Sequence, residues 1–208
     1  MFSLQAMFGK GDKFFSLLEQ SANAAYNSSL GLAKLLKTPD DADLSEFVRA
    51  RAREKELAAQ ITRELVNTFV TALEREDIEA LSSALYKIPK VLEKFAERYQ
   101  IVRGKLPGVS FVERAEMVTR AVEIVVQMIH LLRKGMDLDA TKSLHDRLLG
   151  IESEADRLLL DIYREAATGD IDATRLFLKK DLFDLLEKAI DRCRDVGNTV
   201  FTIVLKNA

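Results

Sequence analysis

Apolar residues recur at alternating four- and three-residue steps along almost the whole chain, the spacing of a buried face on an α-helix. From about Lys13 to Lys37 the stripe is Phe14, Leu18, Ser21, Ala25, Ser28, Leu32 and Leu35. Its middle is small and polar, which predicts close helix approach rather than bulky packing. Thr38-Pro39-Asp40-Asp41-Ala42-Asp43 ends this helix and offers an N-cap to the next. A second helix, about Leu44 to Ala72, should bury Phe47, Ala50, Leu57, Ile61, Leu65 and Phe69. Glu74-Arg75-Glu76-Asp77 places acids at the positive end of a third. Ile78, Leu81, Leu85, Ile88, Leu92, Phe95 and Tyr99 form its seam, with Pro89 inside it as an expected kink.

Arg103-Gly104-Lys105-Leu106-Pro107-Gly108 is the one clear break. A fourth helix follows, seamed by Phe111, Ala115, Val118, Val122, Val125, Ile129 and Leu132, and ends near Lys134-Gly135. The fifth covers roughly Asp139 to Ala167; Thr168-Gly169-Asp170 turns the chain into the sixth, which ends around Lys206. Three helices therefore precede the break and three follow it, in matching order. Each third helix is expected to open near an acid followed by an apolar residue, Asp77-Ile78 and Asp181-Leu182. The pattern predicts an all-α domain of six long helices, built as two repeated three-helix bundles over residues 12–103 and 109–206. Four-three seams favour long helices packed at about 20°.

Composition narrows the function classes. The 208 residues suffice for one helical domain, and a net charge of −2 gives no reason to expect nucleic acid. Cys193 is the single cysteine, so no intramolecular disulfide can form, and its apolar surroundings make it a small core residue. Met1-Phe2-Ser3-Leu4-Gln5-Ala6-Met7-Phe8 lacks the basic and long apolar parts of a signal peptide, and no apolar run approaches the roughly 20 residues that span a bilayer. A cytoplasmic protein is the expectation.

The candidate chemistry lies in the last third. Glu152 and Asp156 on the fifth helix, and Glu187 and Asp191 on the sixth, are Glu-x-x-x-Asp pairs, each stacked one turn apart on one side of its helix. If these helices are neighbours, four carboxylates could converge on a hard or borderline cation. The plainer alternative is solvation, or pairing with Arg157, Lys188 or Arg192. Glu154 should face solvent, and His145, two turns from Glu152, reads as a surface or supporting residue rather than a ligand. Glu-x-x-His, the di-iron bundle signature, is absent. So are a phosphate-cradling glycine loop, a Cys-x-x-Cys, and a Ser or Cys nucleophile beside a base.

In the first half, Lys55 and Ala59 fall where Glu152 and Asp156 would be expected. The counterparts of Glu187 and Asp191 are Ser83 and Lys87, or Tyr86 and Lys90. Neither supplies a carboxylate pair. Lys87, Lys90, Lys94 and Arg98 instead make a basic ridge, either a solvated face salted with Glu93 and Glu97 or a docking face for an acidic partner or anionic headgroups.

Two three-helix repeats, Glu-Arg-Glu-Asp-Ile-Glu-Ala-Leu at the third helix, Glu-Ser-Glu-Ala-Asp and Leu-Glu-Lys-Ala-Ile-Asp resemble the PhoU-like family of phosphate-transport regulators. The likeness is nearest to the short branch associated with Pit-type phosphate transporters. It implies a PhoU-like bundle and a non-enzymatic regulator that contacts a Pit-type transporter or a phosphate-signalling protein. It further implies a cytoplasmic protein, at most peripheral to the inner face of the membrane; the long apolar seams and exposed helix flanks favour a homo-oligomer. The family's metal motif, which takes iron, zinc or similar divalent cations, falls on Glu152, Asp156, Glu187 and Asp191. Two other readings of the residues are a metal-dependent hydrolase using those carboxylates and a ligand-free helical oligomerisation scaffold.

Overall fold

The computed structural model describes residues 4–39, 43–169 and 172–207, with side chains from Lys13 onward. Among the described residues there are six α-helices and no strand: α1 (Leu4–Lys37), α2 (Ser45–Asn67), α3 (Arg75–Val102), α4 (Val112–Lys134), α5 (Leu138–Ala167) and α6 (Ala173–Asn207). The all-α, two-repeat architecture expected from the pattern is the one observed. Asp40, Asp41, Ala42 and Asp170, expected as turn residues, lie outside the described residues; Leu44 holds the N-cap position of α2, and Asp43 just before it accepts the Ser45 N–H at 2.8 Å.

The seams form as spaced. All seven stripe residues of α1 and all seven of α4 are buried, as are six of the seven in α3, with Tyr99 half-buried and stacked on Phe95. α3 runs through the buried Pro89 without breaking. Its first turn is tied to the end of α6, where Lys206 Nζ lies 2.9 Å from Glu74 and 3.0 Å from Asp77. At its other end Arg98 reaches Asp181, near the start of α6, at 2.6 Å. α3 and α6 are therefore antiparallel. α1 and α4 are antiparallel too, since Glu19 meets Arg133 at 2.7 Å while Tyr26 meets Glu123 at 3.2 Å.

Within each repeat every helix touches the other two, and the repeats join through α1 against α4 and α3 against α6. Phe95, Tyr99, Phe111 and Phe183 interlock at that junction with ring centroids 4.6–5.8 Å apart. A single contiguous core runs through all six helices. α4 stops at Gly135, whose φ of 123° no other side chain adopts readily; its N–H and that of Met136 both return to the Leu131 carbonyl. Asp137 then accepts the Ala140 N–H at 2.9 Å and starts α5.

Two expectations fail. α2 was to run to Ala72 and bury Phe69, but it ends at Asn67 and Phe69 is 96 % exposed. The Arg75 guanidinium donates to the carbonyls of Leu65, Thr68 and Phe69, taking up the acceptors that the helix end leaves open. Nor does α6 open at Asp181: it begins at Ala173, and burial matches Leu81, Leu85, Ile88, Leu92 and Phe95 of α3 with Leu182, Leu186, Ala189, Cys193 and Val196.

Candidate functional site

The α3–α6 match makes Tyr86 and Lys90, rather than Ser83 and Lys87, the counterparts of Glu187 and Asp191. Between α2 and α5 the buried positions match as Phe47 with Thr141, Leu57 with Ile151, Ile61 with Ala155 and Thr68 with Ile162. Ala58 and Thr62 therefore stand where Glu152 and Asp156 do, in place of Lys55 and Ala59. Either way the first repeat lacks the acid pairs.

In the second repeat α5 and α6 pack side by side and bring the acids toward one another. Glu152 is half-buried and bonded to the Arg194 guanidinium, which also lies 3.1 Å from Asp191. Glu187 is half-buried beside the seam. Its desolvation, with Asp191, Asp156 and Asp184 nearby, pushes its carboxyl up to about 7. Asp156 is exposed. Glu154, as expected, faces out, with Arg120 at 3.7 Å. His145 packs flat on Phe201 at 4.8 Å and pairs with Asn198 at 2.7 Å, a supporting role consistent with its position.

The donor set does not fit a resident cation in this arrangement. Among the described residues no three His, Cys, Asp or Glu side chains converge as ligands. A guanidinium occupies Glu152 and Asp191, and desolvation with the neighbouring carboxylates favours the neutral form of Glu187. The counter-charge comes from Arg194 rather than from Arg157, Lys188 or Arg192, the partners that the sequence suggested. Arg157 turns back to the Ser153 carbonyl and Arg192 pairs with Asp195 at 2.6 Å. Arg194, one turn beyond Asp191, was within reach of a sequence argument for Asp191; its bond to Glu152 crosses helices and was not.

The basic ridge is also brought together. Lys87, Lys90, Lys94 and Arg98 form one wall of a groove of about 500 Å³, with Lys188 and Arg192 of α6 on the other side. Val91 and Leu185, at 6 % and 8 % exposure, make its floor. Glu93, expected to salt the ridge, lies 3.8 Å from Arg51 on α2 instead. The sequence missed the second wall, although Lys188 and Arg192 are one turn apart beside the α6 seam.

A buried polar centre in the first repeat was missed as well. Glu54 is fully buried, and both its oxygens lie 2.7–2.8 Å from Ser21 Oγ. Desolvation raises its carboxyl to about 7, against the opposing effects of Ser21, Arg51 and Arg53. Arg51, 7 % exposed, stacks on the Tyr86 ring at 3.7 Å and bonds its hydroxyl. The signal was available: between Ala50 and Leu57 the four-three count skips a slot, and Glu54 fills it.

No family model matches the chain. It is 26 % identical over 207 residues, 94 % of each chain, to a Rhizobium meliloti (strain 1021) protein named "Putative pit accessory protein". Its fold matches the crystal structure of a PhoU-like protein from Shewanella oneidensis MR-1 with a TM-score of 0.80, at 18 % identity, covering 92 % of this chain and 96 % of that one. A second structure from the same organism, "a putative PhoU-like phosphate regulatory protein", matches with a TM-score of 0.78 and 18 % identity over 93 % and 99 % of the chains. No described helix is long and apolar enough to cross a membrane.

Proposed function

We propose, from the premise that this chain belongs to the PhoU-like, Pit-accessory family, that it is a non-enzymatic accessory protein of inorganic phosphate transport. It acts by contact with a Pit-type transporter or a phosphate-signalling protein, from the cytoplasm and at most at the membrane's inner face. The observation that carries this reading is the end-to-end match, over 94 % of both chains, to a protein named for that accessory role.

The geometry supplies the means. The core is a continuous scaffold, and the ridge of Lys87, Lys90, Lys94 and Arg98 is the face offered to the partner. Of the carboxylates Glu152, Asp156, Glu187 and Asp191, Glu152 and Asp191 serve as an ion-pair network that ties α5 to α6 through Arg194, with no iron or zinc needed to hold it.

Co-expression with the Pit-type transporter of the same genome tests the first claim. The protein is expected to co-purify with the detergent-solubilised transporter, and its deletion to change the rate of radiolabelled phosphate uptake by several-fold. Absence of both effects would refute the reading. Elemental analysis of tag-free protein, beside Glu152→Ala/Asp156→Ala, tests the second. Metal-free protein in both is expected; stoichiometric metal lost in the variant would restore a cation centre.

A further inference from the structure

We propose that the groove between α3 and α6 is a docking channel for an acidic amphipathic helix of the partner protein. This rests on the accessory reading only for the existence of a protein partner; the chemistry of that partner follows from the groove itself.

Charge points to an acidic ligand. Two carboxylates line the groove, and both are already engaged: Asp181 is 2.6 Å from Arg98, and Asp184 is 2.5 Å from Lys180. Arg192 is held by Asp195. Lys87, Lys90, Lys94 and Lys188 have no hydrogen bond or ion pair among the described residues. Four uncompensated ammonium groups thus share one concavity on a chain whose net charge is −2. Elsewhere Lys13, Lys34, Lys142, Lys179, Lys180 and Lys206 each sit on a carboxylate. Among the described residues Lys37, Lys55, Lys105 and Lys134 also lack one but line no part of this groove, so it is the gathering of four in one concavity that sets it apart. Like charges on one helix face oppose helix formation, so their retention in one line fits a site completed from outside.

Shape and spacing point to a helix. Lys87, Lys90, Lys94 and Arg98 follow the three-four rhythm along α3, a row about 16 Å long at the helical rise. A second helix laid along that row would present carboxylates at the same rhythm, as e and g residues do across a coiled coil. Between the cationic walls, Val91 and Leu185 give its apolar side chains a floor to cover. The groove is concave, with its apolar floor set between two helices, whereas a bilayer surface is flat and would meet only the lysine tips.

The test uses a fluorescent synthetic helix with Glu at i, i+3, i+7 and Leu between, a Lys-for-Glu counterpart, and vesicles of phosphatidylglycerol and phosphatidylcholine. Wild-type protein should bind the acidic peptide saturably, at least ten-fold more weakly after Lys90→Glu/Lys188→Glu, with unchanged circular dichroism. The same variant should gain affinity for the basic peptide, while Lys55→Glu on α2 should change neither. Acidic-peptide binding indifferent to Lys90→Glu/Lys188→Glu, no peptide binding at low salt, or binding to vesicles alone would each overturn the proposal. Transporter co-purification that survives in Lys90→Glu/Lys188→Glu would remove the groove and leave the accessory role standing; absence of both co-purification and the uptake effect in wild type would remove the role.

Discussion

The two repeats share a helix order and a packing plan, yet they fill one equivalent position with opposite chemistry. In the second repeat Leu148 is fully buried between α4, α5 and α6. Its neighbour Gly197 has no side chain, and a Cβ there would come 2.6 Å from the Leu148 side chain. In the first repeat the matching positions hold Glu54 and Ala96, and Ser21 takes the place of Val118. A leucine seated on a glycine became a carboxyl seated under a serine. The second repeat moves its acids outward, to Glu152, Glu187 and Asp191, the first and last of which Arg194 reaches. The first keeps Glu54 fully inside, where desolvation pushes its carboxyl up to about 7.

That contrast teaches where charge is tolerated in this fold. At the edge of the α5–α6 seam Glu152 and Asp191 recruit a guanidinium, whereas desolvation and the neighbouring carboxylates push Glu187 up to about 7. A carboxyl in the centre of the α1–α2–α3 bundle cannot be reached by water, and desolvation holds it near neutrality.

Exchanging the chemistry of the two repeats should give the largest effect. Leu148→Glu puts a carboxyl under Val118, which offers no hydroxyl, and should destabilise the protein by about 4 kcal/mol or more in urea unfolding. A loss below about 1 kcal/mol would mean that the second repeat is as tolerant as the first, and the contrast would collapse.

The next effect follows pH. Because the folded pKa of Glu54 lies above its unfolded value, the folded state binds the extra proton, and this contribution is fully present below about 4.5. It is lost as pH rises through about 7, amounting to about 3 kcal/mol by pH 8. Ser21, Arg51 and Arg53 are the groups that oppose this shift. Glu54→Gln should remove that slope and unfold at higher urea than wild type at pH 8. Parallel pH profiles for the two proteins would show that Glu54 does not titrate in this window.

The smallest effect concerns the outward acids. Arg194→Leu leaves Glu152 and Asp191 half-buried and unpaired, and should cost about 1–2 kcal/mol at pH 7. Adding Glu152→Gln to that variant should recover most of it. No recovery would mean that Arg194 contributes through its packing rather than through its charge.

Local periodicity carried most of the architecture. The α1, α3 and α4 seams could be read residue by residue, because one buried face per helix is a property of neighbouring positions in sequence. The end of α2 could not, because it depends on Arg75 folding back from the next helix onto carbonyls it follows by several residues. The acids were legible as types and spacings, but their fate was set by Arg194 across the α5–α6 interface. The repeat alignment was settled by burial, since the opening of each third helix, Asp77-Ile78 and Asp181-Leu182, favours the register with Ser83, while the buried seam further along favours the one with Tyr86.

Cys193 gives the molecule a chemical clock. It is the only thiol in the chain, lies fully buried at the middle of α6, and its burial pushes the thiol pKa upward, so little thiolate exists at neutral pH. A maleimide or disulfide reagent can reach it only when α6 separates from the helices around it. Its labelling rate therefore counts separations of α6 from the helices packed on it, without any engineered reporter. An acidic helix seated between α3 and α6 would slow that clock in proportion to the fraction of protein it occupies.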